Sequence, residues 1–168
     1  MEEGDFDLVV INSVIQYFPN AEYLKEVLRK AFSVLSPGGN IFVGDVRDLR
    51  LHRALLTDVF LERSSDGVLV SEARREIEQM AFNEEELLLD PIFFHLLQDE
   101  IATVTHVEIL PKNGGFDNEL SKYRYQVILR TAKKDEGSID FFDYSELEGG
   151  IDEIRGLLEK GERSPFGV

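Results

Sequence analysis

The sequence predicts an open α/β fold: parallel strands, an inserted helical block, an antiparallel closing strand, and a ligand-cradling first half expected to be missing. Three observations carry this. The chain opens on a strand–helix–strand pattern between residues 6 and 45, which folds as a right-handed unit with parallel strands. It closes on two apolar runs joined by a loop rather than a helix, and such a loop joins antiparallel neighbours. No glycine-rich turn follows a strand and no acid follows a second strand at ribose-binding distance, the two features by which such folds hold a nucleotide.

Residues 6–12, FDLVVIN, are apolar at consecutive positions, which predicts a strand covered on both faces. Asn20 is placed to cap the helix that follows, where Leu24, Val27, Leu28, Ala31, Phe32 and Leu35 recur on one stripe. Ser36, Pro37, Gly38 and Gly39 stop that helix, and residues 40–45 form a second buried strand.

The helical block comes next. Leu51, Ala54, Leu55 and Val59 mark one helix, and a second starts near Ser71 with Ala73, Ile77, Met80 and Ala81 inward. Asn83 with Glu84, Glu85 and Glu86 has the form of a capping box ahead of Leu87, Leu88 and Leu89. Asp90 and Pro91 begin a further helix lined by Phe93, Phe94, Leu97 and Ile101. The closing strands are expected at 103–110 and 122–131, with the Tyr123-Arg124-Tyr125 alternation read as the face of an edge strand. After Ala132 the chain turns acidic and glycine-rich, so residues 1–132 and 133–168 are expected to separate into a domain and a tail. The tail carries a short helix with Ile151, Ile154, Leu157 and Leu158 on one side.

Composition excludes several classes. Among 168 residues 43% are hydrophobic and 30% charged, the balance of a globular protein. The net charge is −15, and from Asp135 onward ten acids face three bases. An acidic chain without a basic stripe repels phosphate backbones, so no nucleic-acid partner is expected. The absence of cysteine removes disulfides and thiol chemistry and points to a reducing, cytoplasmic setting. No run approaches the roughly 20 apolar residues that span a bilayer, so no membrane partner is expected either. His52, His95 and His106 are scattered without carboxylates at ligand spacing, and no metal site is expected.

Ligands of open α/β sheets gather at the carboxyl ends of strands. Asn12 and Ser13 stand at one such end, and Asp45 with Arg47 at the next. Polar residues there serve equally as turn formers, and spacing alone leaves both roles open. The loop bearing Asn118 and Glu119 leads into the last strand and is likewise either an ordinary connection or a cover for the same edge.

Laid out in order, the segments FDLVVINSVIQYFP (6–19), PGGNIFVGDVR (37–47), EEELLLDPIFF (84–94), HVEILPK (106–112) and NELSKYRYQVILR (118–130) resemble the methyltransferase domains embedded in nonribosomal peptide synthetases. These are S-adenosylmethionine-dependent N-methyltransferases with a Rossmann-like class I sheet. The resemblance covers residues 6–131, and the tail from Ser138 more loosely resembles the segment returning to the host synthetase. It implies that Asn12 and Ser13 border the cofactor. Gln16, Tyr17, Arg47, Arg124 and Tyr125 would serve the substrate, with Glu119 the first candidate for the catalytic carboxylate and Asp45 the second. The implied substrate is an aminoacyl group held as a thioester on a carrier protein.

The chain departs from that family by beginning near its fourth strand, so that on the order of 100 residues of cofactor cradle are expected to be missing. The resemblance therefore implies a parent domain that methylates and a polypeptide that alone does not. Two alternatives stay open: a non-catalytic remnant acting as an interaction module, and an enzyme completed by a companion chain bearing the glycine-rich half.

Overall fold

The computed structural model describes Gly4, residues 6–112 and 118–132, and two short strands at 140–141 and 166–167. Two compact units, Met1–Lys133 and Lys134–Val168, divide the chain. The first contains strands β1 (Phe6–Asn12), β2 (Leu35–Arg47), β3 (His106–Pro111) and β4 (Arg124–Arg130), and helices α1 (Ala21–Ser33), α2 (His52–Arg63), α3 (Val70–Phe82), α4 (Ile92–Glu100) and α5 (Glu119–Lys122). In the second, β5 (Asp140–Phe141) pairs in parallel with β6 (Phe166–Gly167). The expected tail helix and residues 113–117 of the closing loop lie outside the described residues.

The sheet of the first unit runs β1-β2-β4-β3. β1 and β2 are parallel, as a strand–helix–strand unit dictates, while β4 is antiparallel to both its neighbours. β4 is therefore an inner strand and β3 the edge, which corrects the edge-strand reading of residues 123–125. The aromatic and aliphatic side chains of β4 at Tyr125, Val127 and Leu129 alternate inward because they meet strands on both sides and helices below.

Register sorts the faces. Val9, Ile41, Leu129 and Val107 form one cross-strand row, and Ile11, Val43, Val127 and Ile109 the next. On this face pack Leu24, Leu28 and Phe32 of α1 with Phe94 and Leu97 of α4. Lys25 of α1 bonds Glu100 of α4 at 2.7 Å, and Phe94 meets the Tyr125 ring edge-on at 6.2 Å. Asn20 caps α1 as expected, its side chain accepting from the Tyr23 amide.

The opposite face is different. Leu8 and Val10 are 54% and 58% exposed, so the expectation that the first strand is covered on both faces fails here. The physical reason is position: β1 is an outer strand, and both α1 and α4 lie against the other face. β2 extends further back than residue 40 because Leu35 already pairs with Phe6 before residues 36–39 bulge out, with Gly38 at φ 86°.

The capping box expected at Asn83 is also absent. Asn83 ends α3 instead, and the chain then runs as an extended strap into α4. The strap is laced to four positions of the unit. The Leu87 amide donates to the Gln16 carbonyl at 2.7 Å and the Leu89 amide to Arg47 at 3.1 Å. Leu89 in turn accepts from the Leu49 amide at 3.2 Å and from the buried Tyr125 hydroxyl at 3.1 Å. Leucines at 87 and 89 read as a helix by composition, but these tertiary bonds satisfy the backbone better than a short isolated turn would. No helix among the described residues is long and apolar enough to cross a membrane.

Leu28→Ala removes a fully buried side chain between α1 and the sheet and is expected to cost about 2–5 kcal/mol. Val10→Ala on the open face should change stability by less than about 0.5 kcal/mol. Urea denaturation of the two variants checks the contrast.

Candidate functional site

β1 and β2 end side by side, with Asn12 opposite Gly44. The end of β3 at Pro111 and the start of β4 at Arg124 arrive at the same edge, because β3 runs in the direction of β2 and β4 against it. At this edge β2 carries a bulge: three steps from Val43 to Val46 face two steps from Val127 to Tyr125. Such bulges re-aim side chains. The bulge puts Asp45 at φ 67°, and Ser13, one residue past β1, adopts φ 55°. Two non-glycine residues in the left-handed region each cost on the order of 1–3 kcal/mol, and such strain collects at binding and catalytic sites. Gly44 leaves room for this arrangement, since a Cβ there would stand 2.0 Å from Asn12 Oδ1 and displace that side chain.

The strained pair is bonded to itself. Asn12 Nδ2 donates to Ser13 Oγ at 3.0 Å, and Ser13 Oγ donates to Asp45 Oδ2 at 2.9 Å. Arg124 Nη1 donates to the same carboxylate oxygen at 3.1 Å, and Lys112 Nζ donates to Oδ1. Burial alone would push the Asp45 carboxyl upward. The bonds from Lys112 and Ser13, with the charges of Arg124 and Lys112, outweigh burial and hold it below the usual carboxylate range. Arg124 also reaches outward, its Nη2 donating to Glu119 Oε1 at 3.0 Å. Glu119 opens α5, where Asn118 and Ser121 form a reciprocal cap, so the carboxylate stands on an anchored turn. It also lines a cleft with Asp58, Val59 and Tyr123.

Of the residues singled out in the sequence, Asn12, Ser13, Asp45, Arg124 and Glu119 thus form one bonded chain. Gln16 adjoins it, with Nε2 donating to the Ser13 carbonyl at 3.2 Å and Oε1 buried without a partner among the described residues. Tyr17 is next along the chain and 70% exposed. Arg47 and Tyr125 sit apart from this chain of bonds. The Arg47 guanidinium is clasped by Glu84 at 2.9 Å and Glu86 at 2.7 Å. The Tyr125 ring is in the core, and burial, followed by Asp48 and Asp90 nearby, pushes its hydroxyl far above the usual range. Lys112 enters as a member that the sequence singled out only within a longer segment; a cation directly after an apolar strand that ends at this edge was the available signal. Glu84 and Glu86 were disguised as a helix cap. Among the described residues no three His, Cys, Asp or Glu side chains converge on a metal position.

Asp45→Asn keeps the shape and the tolerance for positive φ while removing the charge. A carboxyl lowered in the folded state contributes stability that is present above its unfolded value of about 3.9 and is lost as pH falls through the folded value. The stability gap between the native chain and Asp45→Asn is therefore expected to be full near neutrality and to close below about pH 4, as read by urea midpoints across pH.

No family model matches the chain. Among curated proteins, chondramide synthase of Chondromyces crocatus is 41% identical over 145 residues, covering 85% of this chain. A nonribosomal peptide synthetase of Alternaria alternata is 42% identical over 136 residues, covering 80%, and cyclosporin synthetase of Tolypocladium inflatum is 35% identical over 163, covering 92%. The chain spans only 4%, 3% and 1% of these proteins respectively. Solved structures overlay more loosely: a candidate O-methyltransferase from Nostoc punctiforme aligns over 76% of this chain and 32% of its own, at 12% identity and a TM-score of 0.44. At these identities, over most of its length, the chain is homologous to one segment of the nonribosomal peptide synthetases.

Proposed function

We propose that this segment is the substrate-side wall of a methyltransferase domain. The domain transfers a methyl group from S-adenosylmethionine to an amino-acid nitrogen on a carrier-bound aminoacyl or peptidyl intermediate. The observation that carries the reading is the Ser13–Asp45 pair, left-handed at both residues and set on a bulge at the carboxyl edge of two parallel strands. That edge is where open α/β folds bind ligands. Homology to peptide synthetases over most of the chain supports the substrate class. The lack of cysteine supports a cytoplasmic setting.

The residues present fit one wall of a site for a cationic sulfonium cofactor. Asn12 and Ser13 offer short polar groups, and Asp45 offers a carboxylate held ionised beside them. The exposed ring of Tyr17 offers an aromatic face. When bound, the cofactor supplies an electrophilic methyl group. The chain's own residues handle the amine, which must shed a proton to expose its lone pair and must be held in line with that methyl. Asp45 already receives three donors and is a poor proton acceptor; its role is to orient and to balance charge. Glu119 is the better base. One oxygen accepts from Arg124, and the side chain is 47% exposed, which leaves it open to an incoming amine. Gln16 and Tyr17 flank the approach of the aminoacyl group. Arg47 and Tyr125 keep the wall in place through the strap.

One observation favours a second reading. The open face of β1 leaves Leu8 and Val10 exposed on an outer strand, the kind of apolar surface that recruits a partner. In that reading the chain is an interaction module, or half of an enzyme completed by a companion chain.

In a synthetase that carries this segment within a complete domain, Glu119→Gln is expected to lower the methyl-transfer rate about 10²–10⁴-fold. Single-turnover transfer of radiolabelled methyl to the aminoacyl thioester measures it, and an unchanged rate removes Glu119 from the reaction. Calorimetric titration of the isolated chain with S-adenosylmethionine is expected to give no micromolar binding. Binding at that level would mean that the wall alone holds the cofactor. Light scattering distinguishes the module: concentration-dependent association supports it, and a clean monomer removes it.

A further inference from the structure

Ser13 keeps its left-handed backbone because each of its polar groups is held. Its amide donates to the Gly44 carbonyl at 3.3 Å and its hydroxyl to Asp45 Oδ2 at 2.9 Å, while its carbonyl accepts from Gln16 Nε2 at 3.2 Å. Strain of this kind persists only where the surroundings over-determine it. The third hold comes from a side chain that stability alone does not explain. Gln16 lies in the three-residue 3-10 turn Ile15–Tyr17 and is 5% exposed, between Ile15 at 1% and Tyr17 at 70%. Its Oε1 is buried without a partner among the described residues. Leaving a buried acceptor unpaired is destabilising, and an apolar side chain of similar length would not incur that penalty.

We propose that Gln16 is a positioning residue for methyl transfer: its side-chain amide clamps the Ser13 carbonyl from inside the fold and so sets the Ser13–Asp45 pair, without touching substrate. The orientation of the amide follows from its neighbour. Turned over, Oε1 would face the Ser13 carbonyl, and two acceptors repel. The clamp is itself anchored, because Ile15 packs in the core and the Gln16 carbonyl accepts from the Leu87 amide of the strap at 2.7 Å. Ser13 Oγ is one of three donors on Asp45, beside Lys112 and Arg124, so the influence of Gln16 on the carboxylate passes through Ser13. In this turn it is Tyr17 that offers its side chain to the approach, and Gln16 flanks it from behind Ser13. The role in methyl transfer rests on the reading of this edge given above; the clamp does not.

Removing the donor while keeping the shape isolates the clamp. Gln16→Met has a similar length and no polar group to leave unpaired. Ser13 then loses one of its three holds, and its backbone relaxes from positive φ, which weakens the bond from its hydroxyl to Asp45. Burial pushes the Asp45 carboxyl up, and with the Ser13 bond weakened Lys112 and Arg124 alone oppose it, so its midpoint rises. A residue that merely filled space would alter global stability and leave Ser13 and Asp45 as they are.

The test uses the full chain. NMR measures the Asp45 carboxyl midpoint and the exchange of the Ser13 amide, with the Val127 amide of the inner strand β4 as reference, in the native protein and in Gln16→Met. The expected result is faster Ser13 exchange relative to Val127 and a higher Asp45 midpoint in the variant, while its urea midpoint holds or rises. Ser13 exchange or an Asp45 midpoint that stays put overturns the clamp. If the variant does not fold, the side-chain amide protons of Gln16 in the native chain decide: slow exchange supports the clamp, and exchange at the rate of an exposed glutamine overturns it. In a synthetase carrying the complete domain, Gln16→Met is expected to lower kcat by up to about 100-fold with KM for the aminoacyl thioester unchanged. A raised KM at constant kcat means direct contact with substrate and overturns the positioning role, as does an unchanged rate. A native synthetase of this kind that transfers no methyl group removes the reading of the edge, and the NMR comparison then judges the clamp by itself.

Discussion

Placing a carboxylate at the end of a buried strand costs several kcal/mol unless cations come to meet it. At Asp45 the cations arrive because of topology. β4 enters the sheet between β2 and β3 and runs against both, so its first residue, Arg124, and the residue just after β3, Lys112, reach the same edge as the ends of β1 and β2. Without the antiparallel insertion Asp45 would lack two of its three donors. The bulge that turns Asp45 toward them is affordable for the same reason, since the bonds it makes offset its left-handed backbone.

The strap is the second fastening of this edge. Side-chain carboxylates hold Arg47, the Leu87 amide donates to the Gln16 carbonyl in one direction, and the Leu89 carbonyl accepts from the Tyr125 hydroxyl in the other. Residues far apart in the chain are thus fixed by a segment with no regular structure of its own. The arrangement separates two kinds of polar residue. Asp45, Arg124 and Glu119 form a charged chain that ends at solvent, while Arg47 and Tyr125 are occupied in holding the scaffold.

Much of this was legible in the residues. The β-branched run, the Asn20 cap, the apolar stripe of α1 and the Asp90-Pro91 helix start each act through neighbours a few positions away, which is the range over which sequence patterns speak. Asn12, Ser13 and Asp45 were named because they stand at strand ends, Glu119 because of its loop and the family resemblance, and Arg124 through that resemblance alone. What stayed hidden depends on distance in the chain. Arg124 meets Asp45 across 79 positions, and no spacing rule announces that pairing. Glu84 and Glu86 look like a cap because the local pattern is that of one; their real partner, Arg47, lies 37 and 39 positions earlier. The place of β4 inside the sheet was missed because alternation reports which side chains point inward and is silent on how many neighbours a strand has.

The α2–α3 hairpin has a different character from the rest of the unit. α3 contains no buried residue and packs chiefly on α2, while Leu69, Val70 and Phe82 at its ends are largely exposed. A helix tied down at so few points contributes little to global stability and is free to vary in length and sequence without disturbing the sheet. The connection between its two helices, at residues 64–69, is accordingly a position at which a reporter or a tag can be spliced into the chain at low cost, leaving the edge with Asp45 and Arg124 undisturbed.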